Sequence, residues 1–119
     1  MIKNLTLLSP GEMGSPIAKH IISKGIKVIS PLDGRSESTK IRAKNNGIID
    51  SKNLSNSLKQ TDIIVSILVP SDAKKLALQI KEESAGLDRD VYFADLNAIS
   101  PKTVESMKDI LSGTKIKFI

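Results

Sequence analysis

The sequence predicts a doubly wound α/β fold: a parallel six-stranded sheet in the order 3-2-1-4-5-6 between two helical layers. Three observations predict it. Short apolar runs and helical stretches alternate six times along the 119 residues, and parallel strands close in sequence require such crossovers. The run Asp62–Val69, DIIVSILV, is apolar at nearly every position, as expected of a central parallel strand covered on both faces. Lastly, Leu5–Ala18, LTLLSPGEMGSPIA, carries an apolar strand through a Pro/Gly turn into a helix. A chain of this length makes one domain, residues 1–119, with room for a core but not for two.

Lys3–Leu8 reads as the first strand and Glu12–Lys24 as the first helix. Ile17, Ala18, Ile21 and Ile22 fall on one face of that helix and Lys19, His20, Ser23 and Lys24 on the other. Pro16 is tolerated in the first turn, where its missing N–H has no partner to lose. Gly25 ends the helix. Ile26–Ser30 is the second strand, Pro31–Ser36 a turn and Glu37–Asn46 a charged helix. Ile48-Ile49 is a minimal third strand, followed by a short helix over Asn53–Gln60. After the fourth strand, Pro70 stops the run and Ser71 caps a helix that turns Ala73, Leu76, Ala77 and Ile80 inward. Asp90–Leu96 is the fifth strand. Ser100-Pro101 is an N-cap followed by proline at the first helical position. Val104, Met107 and Leu111 form the buried stripe of that helix, Gly113 closes it, and Lys115–Ile119 begins the sixth strand.

Composition excludes several function classes. Without cysteine, neither a disulfide framework nor a thiolate metal site is available. The single histidine, His20, excludes a His-based metal cluster, and its place two turns into the first helix makes it a surface residue. No apolar run approaches the roughly 20 residues of a membrane span and no signal peptide opens the chain, so a soluble, cytoplasmic protein is expected. The net charge of +5 comes from lysines spread along the chain. Such a balance suits a phosphorylated ligand. It suits nucleic acid less, because Tyr92, Phe93 and Phe118 are the whole aromatic complement for base stacking.

The strand–turn–helix corner is where a phosphorylated ligand would bind. Unpaired N–H groups and the dipole of a helix N-terminus form an anion site. The dinucleotide fingerprint G-x-G-x-x-G here reads Ser9-Pro10-Gly11-Glu12-Met13-Gly14, with serine at the first glycine position. On its own this turn is equally an ordinary strand–turn–helix corner. In an open α/β sheet the crevice opens at the carboxyl ends of the strands where the order reverses, here between the first and fourth. Its expected lining is Ser9–Gly14, then Leu68, Val69, Pro70 and Ser71, then Asp95, Leu96 and Asn97. The N–H groups of Glu12 and Met13 would carry the pyrophosphate, with Pro10 shaping the turn. Val69 and Pro70 would pack at the nicotinamide end. Asn97 either bonds a carboxamide or substrate hydroxyl or caps a turn.

The turn after the second strand bears on which dinucleotide fits. Asp33 lies about 20 residues past the glycines, the position of an acid that binds a ribose 2′-OH. Arg35-Ser36, with Lys40 and Arg42 behind, suits a 2′-phosphate, for which an arginine fork is the better match. Asp33 precedes Gly34 and can equally serve only the turn. The balance favours NADP over NAD.

With these residues assembled, the chain resembles the N-terminal cofactor domain of the 6-phosphogluconate dehydrogenase and β-hydroxyacid dehydrogenase superfamily. Within it, the phosphogluconate-dehydrogenase-like NAD-binding branch is the nearest likeness. PGEMGSPIA, DGRSESTKIRAKNNG, DIIVSILVP and DLNAISP carry the match in the family's order. The resemblance implies a Rossmann-type fold and NAD(P)-dependent oxidation of a hydroxyacid, or the reverse reduction. It implies that Gly11, Glu12, Met13 and Gly14 hold the pyrophosphate and that Arg35 and Ser36 hold the adenosine ribose or its phosphate. It also sets Val69 and Pro70 beside the nicotinamide and turns Asn97 to the substrate. Three departures stand out: Ser9 for the first glycine, Asn97-Ala98 for the family's Ser-Thr, and no counterpart of the all-helical domain that supplies the catalytic lysine. The chain alone is therefore expected to bind cofactor without catalysing, and its ending inside an apolar strand to reflect truncation. A small hydroxyacid substrate would need the helical domain. Family members dimerise through that domain, and a homo-oligomer stays compatible with the reading. Imine or deazaflavin reductases, whose cofactor domain is built alike, and non-catalytic dinucleotide-sensing modules are the alternatives.

Overall fold

Six parallel strands in the order β3-β2-β1-β4-β5-β6 form the sheet of the computed structural model, which describes residues 2–8, 14–66, 73–95 and 101–118. In chain order the elements are β1 (Asn4–Leu8), α1 (Gly14–Ser23), β2 (Lys27–Ser30), α2 (Glu37–Asn45), β3 (Ile49–Asp50) and α3 (Leu54–Gln60). They continue with β4 (Ile63–Ser66), α4 (Ala73–Glu83), β5 (Val91–Asp95), α5 (Pro101–Leu111) and β6 (Ile116–Phe118). β1 pairs with β2 on one side and β4 on the other, both parallel, so the expected reversal of strand order falls at β1/β4. The doubly wound α/β architecture is the one the sequence predicts.

Strand alternation sorts the core into two layers. Leu5 and Leu7 of β1 and Ile63 and Val65 of β4 face Ala18 of α1 and Ala43 of α2. Leu8 and Ile64, one residue out of phase, face Leu58, Leu76, Ile80, Met107 and Leu111 of α3, α4 and α5. All four residues of β4 are buried, which explains its nearly continuous apolar run. Phe93 of β5 is fully buried and stacks on Phe118 of β6 with ring centroids 5.4 Å apart. The expected α5 stripe is present: Met107 and Leu111 are buried and Val104 half-buried.

The first helix corrects one expectation. Ala18 is buried and Ile21 and Ile22 pack at the margin of the core, but Ile17 is 37% exposed. Successive helical residues are about 100° apart, and the buried stripe is centred far enough towards Ala18 and Ile22 to leave Ile17 at its edge. Pro16 occupies the third position of α1, where no N–H is needed, and His20 is exposed. Gly25 follows the helix at φ 91°, the left-handed conformation that ends it, with its N–H donating to Ile22 O at 2.9 Å. The proposed caps Ser71 and Ser100 lie outside the described residues.

Polar groups stitch the amino edge of the sheet. The Asp62 carboxylate accepts the N–H groups of Lys3 and Asn4 at 2.9 and 3.0 Å. The Asn4 side chain donates to Gln60 O at 2.8 Å. Arg89 donates to Leu58 O at 3.1 Å and Thr61 O at 2.7 Å, satisfying carbonyls at the end of α3. The N–H groups of Asn4 and Lys3, reinforced by the nearby Arg89 charge, hold the Asp62 carboxyl below its ordinary range against a smaller opposing effect of burial. Among the described residues no helix is long and apolar enough to cross a membrane.

Candidate functional site

A cleft of about 420 Å³ opens at the carboxyl edge of the sheet. Its floor includes Leu8, at the end of β1 where the strand order reverses. Pro31, Asp33 and Arg35 of the loop after β2 form one wall, and Lys52, Asn53 and Leu54, leading from β3 into α3, adjoin it. Leu76 and Gln79 of α4 lie opposite in chain topology, contributed from beyond β4. Small-molecule sites of about 300–1,000 Å³ combine apolar walls with a few placed polar groups. Here leucines and a proline offer flat apolar contact, Arg35 and Lys52 offer positive charge, and Asp33 and Gln79 offer acceptors.

The loop after β2 is shaped by a tight turn. Arg35 N–H donates to Leu32 O at 3.0 Å, and Gly34 sits at φ 80°, a conformation that a β-carbon would strain. Asp33 thus takes part in the turn through its backbone. Its N–H donates to Lys52 O at 2.9 Å, and among the described residues its carboxylate accepts no hydrogen bond. The Arg35 guanidinium likewise has no ion-pair partner among the described residues, and both side chains are exposed. Ser36 is the N-cap of α2, its Oγ accepting Thr39 N–H at 3.2 Å. Lys40 stands 4.0 Å from Glu37 on the first turn of that helix.

The neighbouring loop is tied to this one. Ser51 N–H donates to Ser30 O at 2.9 Å, and Leu32 N–H to Asp50 Oδ1 at 3.3 Å. The buried Ser51 and Ser57 hydroxyls bond each other, and Asn53 caps α3 by accepting Asn56 N–H at 2.8 Å. Lys52, Asn53, Leu54, Leu76 and Gln79 were not among the residues expected at the site. A usable signal existed: with β3 beside β2, the loops that follow those two strands must meet at the same edge.

Of the residues expected at the site, Asp33 and Arg35 line the cleft and Gly14 is the first residue of α1. Ser9, Pro10, Gly11, Glu12, Met13, Leu68, Val69, Pro70 and Asn97 lie outside the described residues. At the strand-order reversal, Leu8 is paired in register with Ser66 of β4. Ser66 is buried, and its hydroxyl has no hydrogen-bond partner among the described residues.

Comparison with known proteins agrees with this architecture. A conserved protein of unknown function, described as structurally similar to 3-hydroxyacid dehydrogenases, superposes with a TM-score of 0.79 at 24% identity, over 97% of this chain and 41% of its own. The 3-hydroxyisobutyrate dehydrogenase of Mycobacterium tuberculosis, in complex with L-serine, gives 0.81 at 14% identity over 99% and 39%. An imine reductase variant from Myxococcus stipitatus, in complex with NAD+, gives 0.78 at 21% identity over 99% and 39%. The chain thus spans about two fifths of the length of these structures. No curated protein matches it. The family model described as the NAD binding domain of 6-phosphogluconate dehydrogenase matches residues 5–119. With the strand order and the cleft in the places that such domains require, this chain belongs to the family of 6-phosphogluconate dehydrogenase NAD-binding domains.

Proposed function

We propose that the chain is the cofactor-binding part of an NAD(P)-dependent oxidoreductase of the 6-phosphogluconate or 3-hydroxyacid dehydrogenase type, and that it takes NADP(H) in preference to NAD(H). The observation that carries this reading is the carboxyl-edge cleft, with Asp33 and Arg35 in its wall and Leu8 at the strand-order reversal. The lining fits the adenosine end of a dinucleotide. Pro31, Leu54 and Leu76 suit the faces of a purine, Asp33 suits a ribose hydroxyl, and Arg35 suits a phosphate. Ser36 supports the loop by fixing the start of α2.

The pyrophosphate is assigned to Ser9–Gly14, where five residues separate the end of β1 from the start of α1. Leu68, Val69, Pro70 and Asn97 are assigned to the nicotinamide end, beyond the last described residues of β4 and β5. Bound nicotinamide supplies the hydride acceptor or donor. This chain's part is to hold and orient it, and catalytic proton transfer and substrate binding belong to a further domain. Residues 1–119 would then act as one cofactor module in the cytoplasm, with a hydroxyacid-type substrate and any pairing of subunits dependent on that further domain.

Titration of the chain with NADPH and with NADH, followed by calorimetry, tests the proposal. Saturable binding of both, tighter for NADPH, is the expected result. Silence towards both would leave only the fold.

A further inference from the structure

Lys52 is the one non-glycine residue at positive φ among the described residues, at 77°. A lysine pays for that conformation where glycine would not, and such strain concentrates at ligand sites. Its backbone is fixed on both sides. Its carbonyl accepts Asp33 N–H at 2.9 Å and its N–H donates to Asp50 Oδ1 at 2.8 Å. Nothing in those two bonds needs a side chain, so a residue there only for the loop would be better as glycine or asparagine. What lysine adds is an ammonium group on a residue that lines the same cleft as Arg35, from a different loop. The ammonium is weakly held: its ion pair with Asp50 Oδ2 is 3.6 Å long and its side chain is 68% exposed.

We infer that Lys52 is a second phosphate-reading residue, acting with Arg35 on the ribose 2′-phosphate and so contributing to the choice of NADP(H) over NAD(H). The inference rests on the reading of the cleft as the adenosine end of the dinucleotide site. It also answers a difficulty in that reading. Asp33 stands in the same wall, and a carboxylate beside a phosphate is repulsive, so Arg35 alone would work against it. A second cation, joined to Asp33 through the backbone, offsets that repulsion. Asp50 then has two functions. Its Oδ1 organises the loops through Leu32 N–H and Lys52 N–H, and its Oδ2 keeps the ammonium at the edge until a stronger anion competes for it.

Calorimetric titrations of the full chain with NADPH, NADH and adenosine 2′,5′-bisphosphate test the inference. Lys52→Gly removes the ammonium and suits the left-handed backbone, so loss of fold does not confound the result. It should weaken NADPH and the bisphosphate about fivefold to tenfold, the worth of one partly exposed charge-assisted contact, and change NADH less than twofold. Asp50→Asn retains an acceptor for both N–H groups but releases the ammonium, and should tighten NADPH. Wild-type affinity for NADPH in Lys52→Gly, with Arg35→Ala still discriminating, would overturn the role of Lys52 and leave the cofactor reading standing. If the unaltered chain binds neither dinucleotide, both fall together; if Arg35→Ala fails to discriminate, the preference for NADP(H) and the role of Lys52 fall while dinucleotide binding stands.

Discussion

The two edges of this sheet use their charged residues in opposite ways. At the amino edge, Asp62 and Arg89 are spent on the backbone: the carboxylate takes two N–H groups at the start of β1, and the guanidinium takes two carbonyls around the end of α3. At the carboxyl edge, Asp50 alone serves the backbone, accepting Leu32 and Lys52 N–H, while the side chains of Asp33 and Arg35 engage no partner among the described residues. The same residue types therefore serve folding at one end and remain available for a ligand at the other. Charge alone does not mark a site. What separates the edges is whether the backbone has already consumed the charge.

That contrast predicts a division of mutational effects. The largest lies at the carboxyl edge. Arg35→Ala should weaken NADPH binding by about 1.5–3 kcal/mol and NADH binding little, with the thermal midpoint unchanged. Equal weakening of both nucleotides, measured by calorimetry, would remove the distinction between phosphate and hydroxyl readers. At the amino edge the sign of the experiment reverses. Asp62→Ala should cost about 1–2 kcal/mol of stability in urea unfolding, the value of two charge-assisted bonds discounted for their exposure, and leave nucleotide affinity untouched.

Acid sharpens the same comparison. The Asp62 carboxyl is held below its ordinary range by the N–H groups of Asn4 and Lys3. Its contribution is therefore fully present above the unfolded-state value of about 3.9 and is lost as the pH falls through the lower folded-state value. Asp62→Asn should flatten that part of the stability–pH curve, and an unchanged acid limb would assign acid unfolding to other carboxylates. The smallest effect belongs to Ser36, which stands between the two roles. Ser36→Ala removes the cap of α2 and should cost about 1 kcal/mol of stability. An additional loss specific to NADPH would show that the hydroxyl also reaches the ligand.

Much of this architecture could be read from the chain because its local signals agree. The nearly all-apolar DIIVSILV run marks β4, the corner at Gly25 ends α1, and Met107 and Leu111 mark the inner face of α5. Right-handed crossovers between such elements leave few arrangements besides the observed one. Asp33 and Arg35 were legible for a similar reason, since a short loop after a known strand can only project at that strand's carboxyl end. Ile17 was misread because helical periodicity fixes the spacing of a stripe but not its centre.

Sequence by itself thus determined the order of the elements, the burial of β4 on both faces and the loop that carries Asp33 and Arg35. Those follow from local backbone preferences and the apolar pattern along the chain. Only the tertiary structure decided that Lys52, Asn53 and Leu54 share a wall with that loop and that Leu76 and Gln79 of α4 join the same cleft. It also decided that Ser36 caps a helix and that Asp62, unremarked in the chain, fastens β1 to β4. The reason is geometric. A cleft is made by segments that are neighbours across hydrogen-bonded strands, and their sequence separation carries no trace of the distance between them.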